Sequence, residues 1–543
     1  MTEAEAADLE APERTTARSL ARAGLVVSGA YLVARLLGYV RVVVIGTTFG
    51  AGTELDAFFA AFRIPDLIFQ LVAAGAVASA LVPMVSGMLA KGAHEHAWRV
   101  VSTIANLMLV GLLGFAVIAW LAAPALVPLI TPGYEGEQLE RTIELTRLML
   151  LAPMFLALGA TATAALNGAQ RFAASAVAPV VYDLAIIGAA VLLAPSLGVT
   201  GLAIGVVAGS LGHLLVQVPP LARAGFRYLP RIDLSDDKAR LALALMGPRV
   251  IGLGVTQITF VVMTALASNL GTGAVSAYTI AFSLLQIPLG VIGIPLGIVI
   301  FPSLARELAV GRTEHYLEIL TRSIRILAFV MLPITALGMV LRLQVVELLL
   351  GYGRFDQPAV LLTADTLLLF LLGLAAHSTI AVLTRAFYAR QDTRTPMAAA
   401  VLAVAINTTL AVAFVGQLGL PAIGLAIAVA AWTEALVLVF ALRRREGPAL
   451  QLEPLAGVLL RILAAAVVAG VVGYLVLQAV SAAIPAGPDV ESLGAKAAIL
   501  VQAVVVTLAG AAAYAAVAFA LGVRELRTIV AILADLASRR GRS

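Results

Sequence analysis

Of 543 residues, 61% are hydrophobic and 12% charged, and the mean hydropathy of +1.02 excludes an ordinary water-soluble domain. The chain has no cysteine, which excludes disulfides, thiolate metal sites and cysteine nucleophiles. Its net charge of +5 is spread over many short polar breaks and forms no single basic face, which argues against a nucleic-acid partner.

Residues 1–21 mix Glu3, Glu5, Asp8, Glu10 and Glu13 with Arg14 and Arg18 and lack an apolar cleavable stretch. They are expected to be a disordered cytosolic tail. From Gly24 to Leu521 the chain alternates long apolar runs with short polar breaks. Roughly 20 mostly apolar residues cross a bilayer core as a helix, whereas a membrane β-barrel would show ten-residue alternating segments. The fold class is therefore all-α and polytopic, with about fourteen transmembrane helices. They begin near Gly24, Asp56, Trp98, Leu139, Ala173, Val199, Leu241, Gly273, Tyr316, Val360, Pro396, Pro421, Leu455 and Ala495. The expected organisation is an N-lobe over residues 22–223, a cytosolic linker over 224–240, a C-lobe over 241–445, an extra helix pair over 446–522 and a basic tail over 523–543.

Alternate breaks separate by charge. One set holds Lys91, Arg99, Arg171, Arg223, Arg227, Arg231, Lys238, Arg240, Arg306, Arg312, Arg390, Arg394 and Arg443 to Arg445. The opposite set is nearly free of cations, with Arg354 and Lys496 as exceptions. The positive-inside rule then places both termini in the cytosol. The tail, with Leu526, Ile529, Val530 and Leu533 followed by Arg539, Arg540 and Arg542, is expected to lie along the cytosolic membrane surface.

The chain repeats itself. "AFRIPDLIF" leading to Pro83 matches "AFSLLQIPLG" leading to Pro302, Gly133-Tyr134 matches Gly351-Tyr352, and "ALNGAQRF" around Gln170 matches "AFYARQDT" around Arg390. These landmarks share a period of about 220 residues, which predicts two pseudo-symmetric six-helix lobes around a central cavity, an architecture suited to transport by rocking.

Charges inside apolar runs mark the candidate site. The first helix carries Arg35 and Arg41, and the second carries Asp56, Arg63 and Asp66. Each costs roughly 2.5 to 3.5 kcal/mol at mid-bilayer and must face water, a partner or substrate. Asp56 and Arg63 share a helix face, and Arg63 and Asp66 stand three residues apart, so a self-neutralising packing cluster is the plain alternative there. Arg35 and Arg41 have no acidic neighbour on their own helix and point about 120° apart. Two such guanidinium forks suit an anionic headgroup, a pyrophosphate in particular.

Pro65, Pro83, Pro288, Pro295 and Pro302 inside apolar runs predict local breaks in helical hydrogen bonding. In "TRTP", Thr395 reads as a helix N-cap before Pro396. No phosphate-cradling loop, clustered metal ligands or nucleophile-base arrangement is present in the sequence, so no catalytic residue, metal or cofactor is expected. His213 and His377 read as polar packing residues.

Taken in order, "ARLLGYVR", "FGAGTELDAFFAAFRIPDL", "GAVASALVP", "ALNGAQRF", "PLGVIGIPLGIVIFPSLA", "YGRFD" and "RAFYARQDTRTP" resemble the MurJ (MviN) lipid II flippases of the multidrug, oligosaccharidyl-lipid and polysaccharide exporter superfamily. The resemblance runs from about Ser19 to Arg445. It implies a V-shaped alternating-access transporter, not an enzyme, with fourteen helices and a lipid-tail groove in the final pair. The implied activity is translocation of the undecaprenyl-pyrophosphate-linked peptidoglycan precursor from the inner to the outer leaflet of the bacterial plasma membrane. The implied partners are lipid II, membrane lipids and the proteins of cell-wall synthesis and division.

The same resemblance places substrate-binding roles on Arg35, Arg41, Asp56 and Arg63. The chain departs from the family at Phe69 and Ser283, where arginines are usual, and at Met263, where a cation-site acid is sometimes found, while Asn407 keeps a polar position. Coupling to the membrane potential or an ion gradient is expected, the ion being unspecified. Alternatives within the superfamily are export of another lipid-linked oligosaccharide or of a small cation, although a cation carrier would favour intramembrane acids. A non-transporting cell-wall scaffold is the alternative from another class. A membrane glycosyltransferase lacks the acidic metal-binding constellation it would need.

Overall fold

The computed structural model describes residue 29 and residues 33–72, 76–485 and 492–526. The expected N-terminal tail, the start of the first helix and the basic tail beyond residue 526 lie outside the described residues. The chain forms two compact units, Met1–Ala265 and Leu266–Ser543. Every regular element among the described residues is helical, as an apolar environment requires, because a helix satisfies its backbone hydrogen bonds within one segment.

The first unit holds α1 (33–49), α2 (Thr53–Val72), α3 (Ala76–Ala90), α4 (His94–Ile130), α5 (Gly136–Met149), α6 (Ala152–Gly168), α7 (Phe172–Leu192), α8 (Ala194–Leu197), α9 (Val199–Leu215) and α10 (Val218–Arg223). Most of α11 (Asp237–Ser268) also belongs to it. Helices α7 and α9 pack backbone to backbone because α9 presents Gly201, Gly205 and Gly209 at intervals of one turn. A Cβ at Gly205 would collide with Ala189, and one at Gly209 would stand 2.8 Å from the carbonyl oxygen of Tyr182. Small residues at this spacing let membrane helices approach closely. A second apolar cluster joins Val77 and Leu81 of α3 to Ile104 and Leu112 of α4 and Ala157 and Ala164 of α6.

The segment between α10 and α11 is a strap fixed to α4. Asn106 donates from Nδ2 to the carbonyls of Leu229 (2.7 Å) and Arg231 (3.0 Å) and accepts from the Tyr228 hydroxyl. Trp98 meets Phe226 edge to face at 5.8 Å, and His96 lies 2.7 Å from Asp236.

The second unit holds α12 (Ala274–Pro288), a π-helical turn (Leu289–Gly293), α13 (Ile294–Ala309), α14 (Thr313–Val340), α15 (Arg342–Leu350), α16 (Gln357–Leu371), α17 (Leu374–Ala389), α18 (Arg394–Leu418), α19 (Pro421–Glu446), α20 (Leu452–Ala483) and α21 (Leu493–Ala520). The π turn directly follows Pro288, where the missing amide donor loosens the helical ladder. Pro295 instead falls in the first turn of α13, where its missing donor costs little. Helices α20 and α21 lie against α14, and the Tyr514 hydroxyl donates to the Phe329 carbonyl at 2.7 Å.

The internal repeat is written into the backbone. Residues of positive φ recur at a spacing of about 220, the period of the sequence landmarks: Gly50 with Gly271, Gly92 with Gly311, Gln170 with Gln391, Gly198 with Gly419 and Gly225 with Gly447. Gln170 and Gln391, at φ 59° and 58°, are the only non-glycine residues of this kind among those described. An L residue pays for this conformation, so its recurrence at matched positions marks the same turn built twice.

By length and apolarity, ten helical segments among the described residues can cross a membrane, or eleven if α16 and α17, bent by 46°, form one span. That criterion does not reach fourteen. Helix α2 fails it because it carries Glu54 as well as Asp56, Arg63 and Asp66, the last three being charges that mark the candidate site.

One local expectation is corrected. Helix α18 begins at Arg394, and the side chain that receives its free amides is Asp392, not Thr395. Asp392 Oδ1 accepts from the Arg394 and Thr395 amides at 3.1 and 3.0 Å, and Oδ2 accepts from the Thr395 hydroxyl at 2.8 Å. A carboxylate outcompetes a hydroxyl for the positive end of a helix.

Candidate substrate-binding site

All four site residues named from the sequence fall in the first unit. Arg35 is on the exposed side of α1, with no ion-pair partner among the described residues. Arg41, less than two turns further on, is half-buried. Its Nη1 donates to Asp183 Oδ1 on α7 at 2.8 Å, and its guanidinium stands 5.7 Å from the Tyr182 ring.

Asp183 is the only charged residue of α7. Its side chain is 9% accessible against 29% for Arg41. The second carboxylate oxygen turns toward Gly38, where an added Cβ would lie 3.7 Å away. The absence of a side chain at Gly38 thus leaves room for Asp183 against α1. The glycine face of α9 holds the backbone at Tyr182 and so fixes where Asp183 projects.

Arg63 on α2 donates from Nε to the Thr264 hydroxyl on α11 at 2.9 Å and lies 5.5 Å from the Phe260 ring. Thr264 in turn donates to the Phe260 carbonyl. Asp66 accepts from Gln70 at 3.4 Å and lies within electrostatic range of Arg63. On α7, Tyr182 and Asp183 both meet Arg41 of α1.

Asp56 is elsewhere in character. It is fully buried in the first turn of α2, where a helix N-terminus favours an anion. Burial, and then the Asp56 carboxylate, push the hydroxyl of Tyr134 in the α4–α5 loop above the usual tyrosine range.

The departures noted in the sequence have structural counterparts. Phe69 packs onto the apolar cluster of α3, α4 and α6. Ser283 returns its hydroxyl to the Thr279 carbonyl at 2.8 Å. Met263 is fully buried in the first unit. In the second, Asn407 is 3% exposed and its Oδ1 has no hydrogen-bond partner among the described residues.

Asp183 is the residue that reading the sequence missed. The signal was available: a lone acid in the middle of the 21-residue apolar segment Phe172–Leu192 meets the same rule that singled out Arg35 and Arg41. With it counted, the intramembrane charges of this region are three arginines, Arg35, Arg41 and Arg63, and three acids, Asp56, Asp66 and Asp183. An excess of cation is therefore not what the site presents.

A bundle of long apolar helices with ion pairs inside its apolar segments defines a multi-pass membrane protein. Two solved structures have the same fold: a lipid II flippase MurJ in an inward closed conformation (TM-score 0.73, 21% identity, 90% of this chain and 98% of the other) and an inward-facing MATE family transporter of the MOP superfamily (TM-score 0.67, 18% identity, 76% and 95%). The sequence is more specific. Residues 45–486 match the family model described as lipid II flippase MurJ. The lipid II flippase MurJ of Burkholderia cenocepacia is 30% identical over 437 residues, 79% of this chain and 84% of that protein. A probable lipid II flippase of Rhizobium tropici is 32% identical over 467 residues, 84% and 87% of the two chains. The chain belongs to the lipid II flippase MurJ family.

Proposed function

We propose that this chain is a lipid II flippase: a transporter that moves the undecaprenyl-pyrophosphate-linked peptidoglycan precursor from the inner to the outer leaflet by alternating access. The observation that carries the reading is the Arg41–Asp183 pair. One guanidinium inside an apolar bundle is held, among the described residues, by one hydrogen bond at 2.8 Å and stays partly accessible. It can therefore donate bidentate bonds to a pyrophosphate, whose adjacent anionic oxygens a neutral or cationic cargo does not offer. Arg35, exposed on the same helix, supplies a second cation for the same headgroup, and Arg63 a third.

Membership of the family supports placement in the bacterial plasma membrane, and the cation-rich alternate loops support cytosolic termini. Cell-wall synthesis and division proteins would be the neighbours of such an activity. The cargo is an anion moving outward across a membrane that is negative inside. The potential favours that direction by about 2.3 kcal/mol per charge per 100 mV, and we assign coupling to it in preference to a dedicated ion.

The experiment is translocation of a fluorescent lipid II analogue in vesicles containing the purified chain, with a potassium diffusion potential of either sign. Faster appearance in the outer leaflet with a negative interior is expected. Translocation of a neutral glycolipid at the same rate as lipid II would overturn the headgroup assignment.

A further inference from the structure

Arg41 is occupied before any substrate arrives. Of the five donors of a guanidinium, only one is engaged among the described residues, by Asp183 Oδ1. The Tyr182 ring covers part of the group without using a donor. The acceptor comes from α7, which carries no other charge, so the same bond is an ionic tie between α7 and α1. A single-point bond leaves the fork of Arg41 geometrically unsatisfied, and a ligand with two adjacent anionic oxygens satisfies it better than one carboxylate oxygen does.

We propose that Asp183 is the resident counter-ion of Arg41, displaced by the anionic headgroup during transport, so that binding exchanges a carboxylate for a pyrophosphate and releases α7 from α1. This rests on the flippase reading and adds to it a positioning residue on α7.

Two consequences follow from the exchange. Asp183 keeps Arg41 from being an uncompensated charge in the empty transporter, where such a charge is expensive. It also sets a threshold, because a ligand must outbid a carboxylate, which a diphosphate does and a monophosphate does less well. Returning to the Asp183-bound state after release supplies a competitor that expels the cargo. Removing the carboxylate should therefore tighten binding and slow turnover together, a combination that a merely structural ion pair does not give.

The test uses the full chain in lipid nanodiscs, with farnesyl pyrophosphate and farnesyl phosphate as probes, and translocation in vesicles as the second readout. Asp183→Asn should bind farnesyl pyrophosphate about tenfold more tightly than wild type, as expected for loss of a competing charge-assisted bond. Its preference for pyrophosphate over monophosphate should shrink and its translocation should slow. Arg41→Ala should lose the affinity. Asp183→Glu, which keeps a carboxylate within reach, should stay near wild type and provides a readout if the asparagine variant folds poorly.

The charge swap Arg41→Asp with Asp183→Arg should recover thermal stability lost in either single variant without recovering affinity. Unchanged or weaker binding in a folded Asp183→Asn, or recovery of both binding and transport by the swap, overturns the exchange while leaving the flippase reading intact. A wild-type protein with no affinity for either probe removes the headgroup site itself, and the exchange with it.

Discussion

Lys496 Nζ lies 2.7 Å from Glu347 Oε1, with both side chains more than nine-tenths buried. The ammonium also donates to the Glu347 carbonyl at 3.1 Å and the Gly351 carbonyl at 2.5 Å, and it stands 4.3 Å from the Tyr352 ring. Gln357 donates to the other Glu347 oxygen at 2.8 Å. Lys496 broke the positive-inside pattern in the sequence, and this arrangement explains why it can. Its charge is cancelled locally and does not count as a loop cation. The pair also ties α21 to α15 within the second unit.

A buried pair of this kind makes its single variants worse than its double. Lys496→Met or Glu347→Gln should each cost about 3 to 5 kcal/mol, because each strands one polar partner without its counter-charge. The double variant Lys496→Met with Glu347→Gln should recover much of that loss. Thermal unfolding of the four proteins in one detergent measures the coupling.

Helix α7 depends on the glycines of α9 for its place. Gly205→Val meets Ala189 and Gly209→Val meets the Tyr182 backbone, and each should cost about 1 to 3 kcal/mol by overpacking. Because Asp183 follows Tyr182, Gly209→Val should also impair transport more than its stability loss explains. Comparing translocation of the two variants at matched stability checks this.

An arginine at residue 69, which the family resemblance led one to expect, should not improve the protein. Phe69 packs on an apolar cluster, and a charge there costs roughly 2.5 to 3.5 kcal/mol on the insertion scale. Phe69→Arg should lower the melting temperature without raising translocation, and a gain in transport would show that the cluster opens to substrate.

The loop before α18 carries a pH-dependent contribution. Burial alone would raise the Asp392 pKa, but the Thr395 amide and hydroxyl and the Arg445 guanidinium, 2.7 Å away, outweigh it and hold the carboxyl below its ordinary value of 3.8. A depressed folded pKa means that the stabilisation is fully present above the unfolded value and is lost as the pH falls through the folded one. Asp392→Ala should cost about 1 kcal/mol near neutral pH, the usual worth of such a cap. The difference from wild type should vanish as the pH drops below 3.8, which thermal unfolding across pH 7 to 3 follows.

Helices, their alternation with cationic loops and the 220-residue repeat were legible in the sequence, because apolar length and loop charge are local properties. The left-handed turns at Gln170 and Gln391 fall within the repeated motifs "ALNGAQRF" and "AFYARQDT". The candidate arginines were conspicuous as charges in apolar runs. Their partners were not. Arg41 and Asp183 are 142 residues apart, and Arg63 and Thr264 are 201 apart. Nothing in the spacing of either pair says that α1 meets α7 or α2 meets α11. The same limit applies to Lys496 and Glu347. Asp392 was missed for a different reason: two oxygen-bearing side chains compete at one helix start, and the carboxylate wins on charge.

The most direct test of the account is complementation of a bacterium depleted of its own lipid II flippase, using this chain and the Arg35→Ala and Arg41→Ala variants at equal membrane levels. Growth is expected with wild type and failure with Arg41→Ala and Arg35→Ala. Equal rescue by all three would contradict headgroup recognition by these arginines, and no rescue by an abundant wild-type protein would contradict lipid II as the cargo.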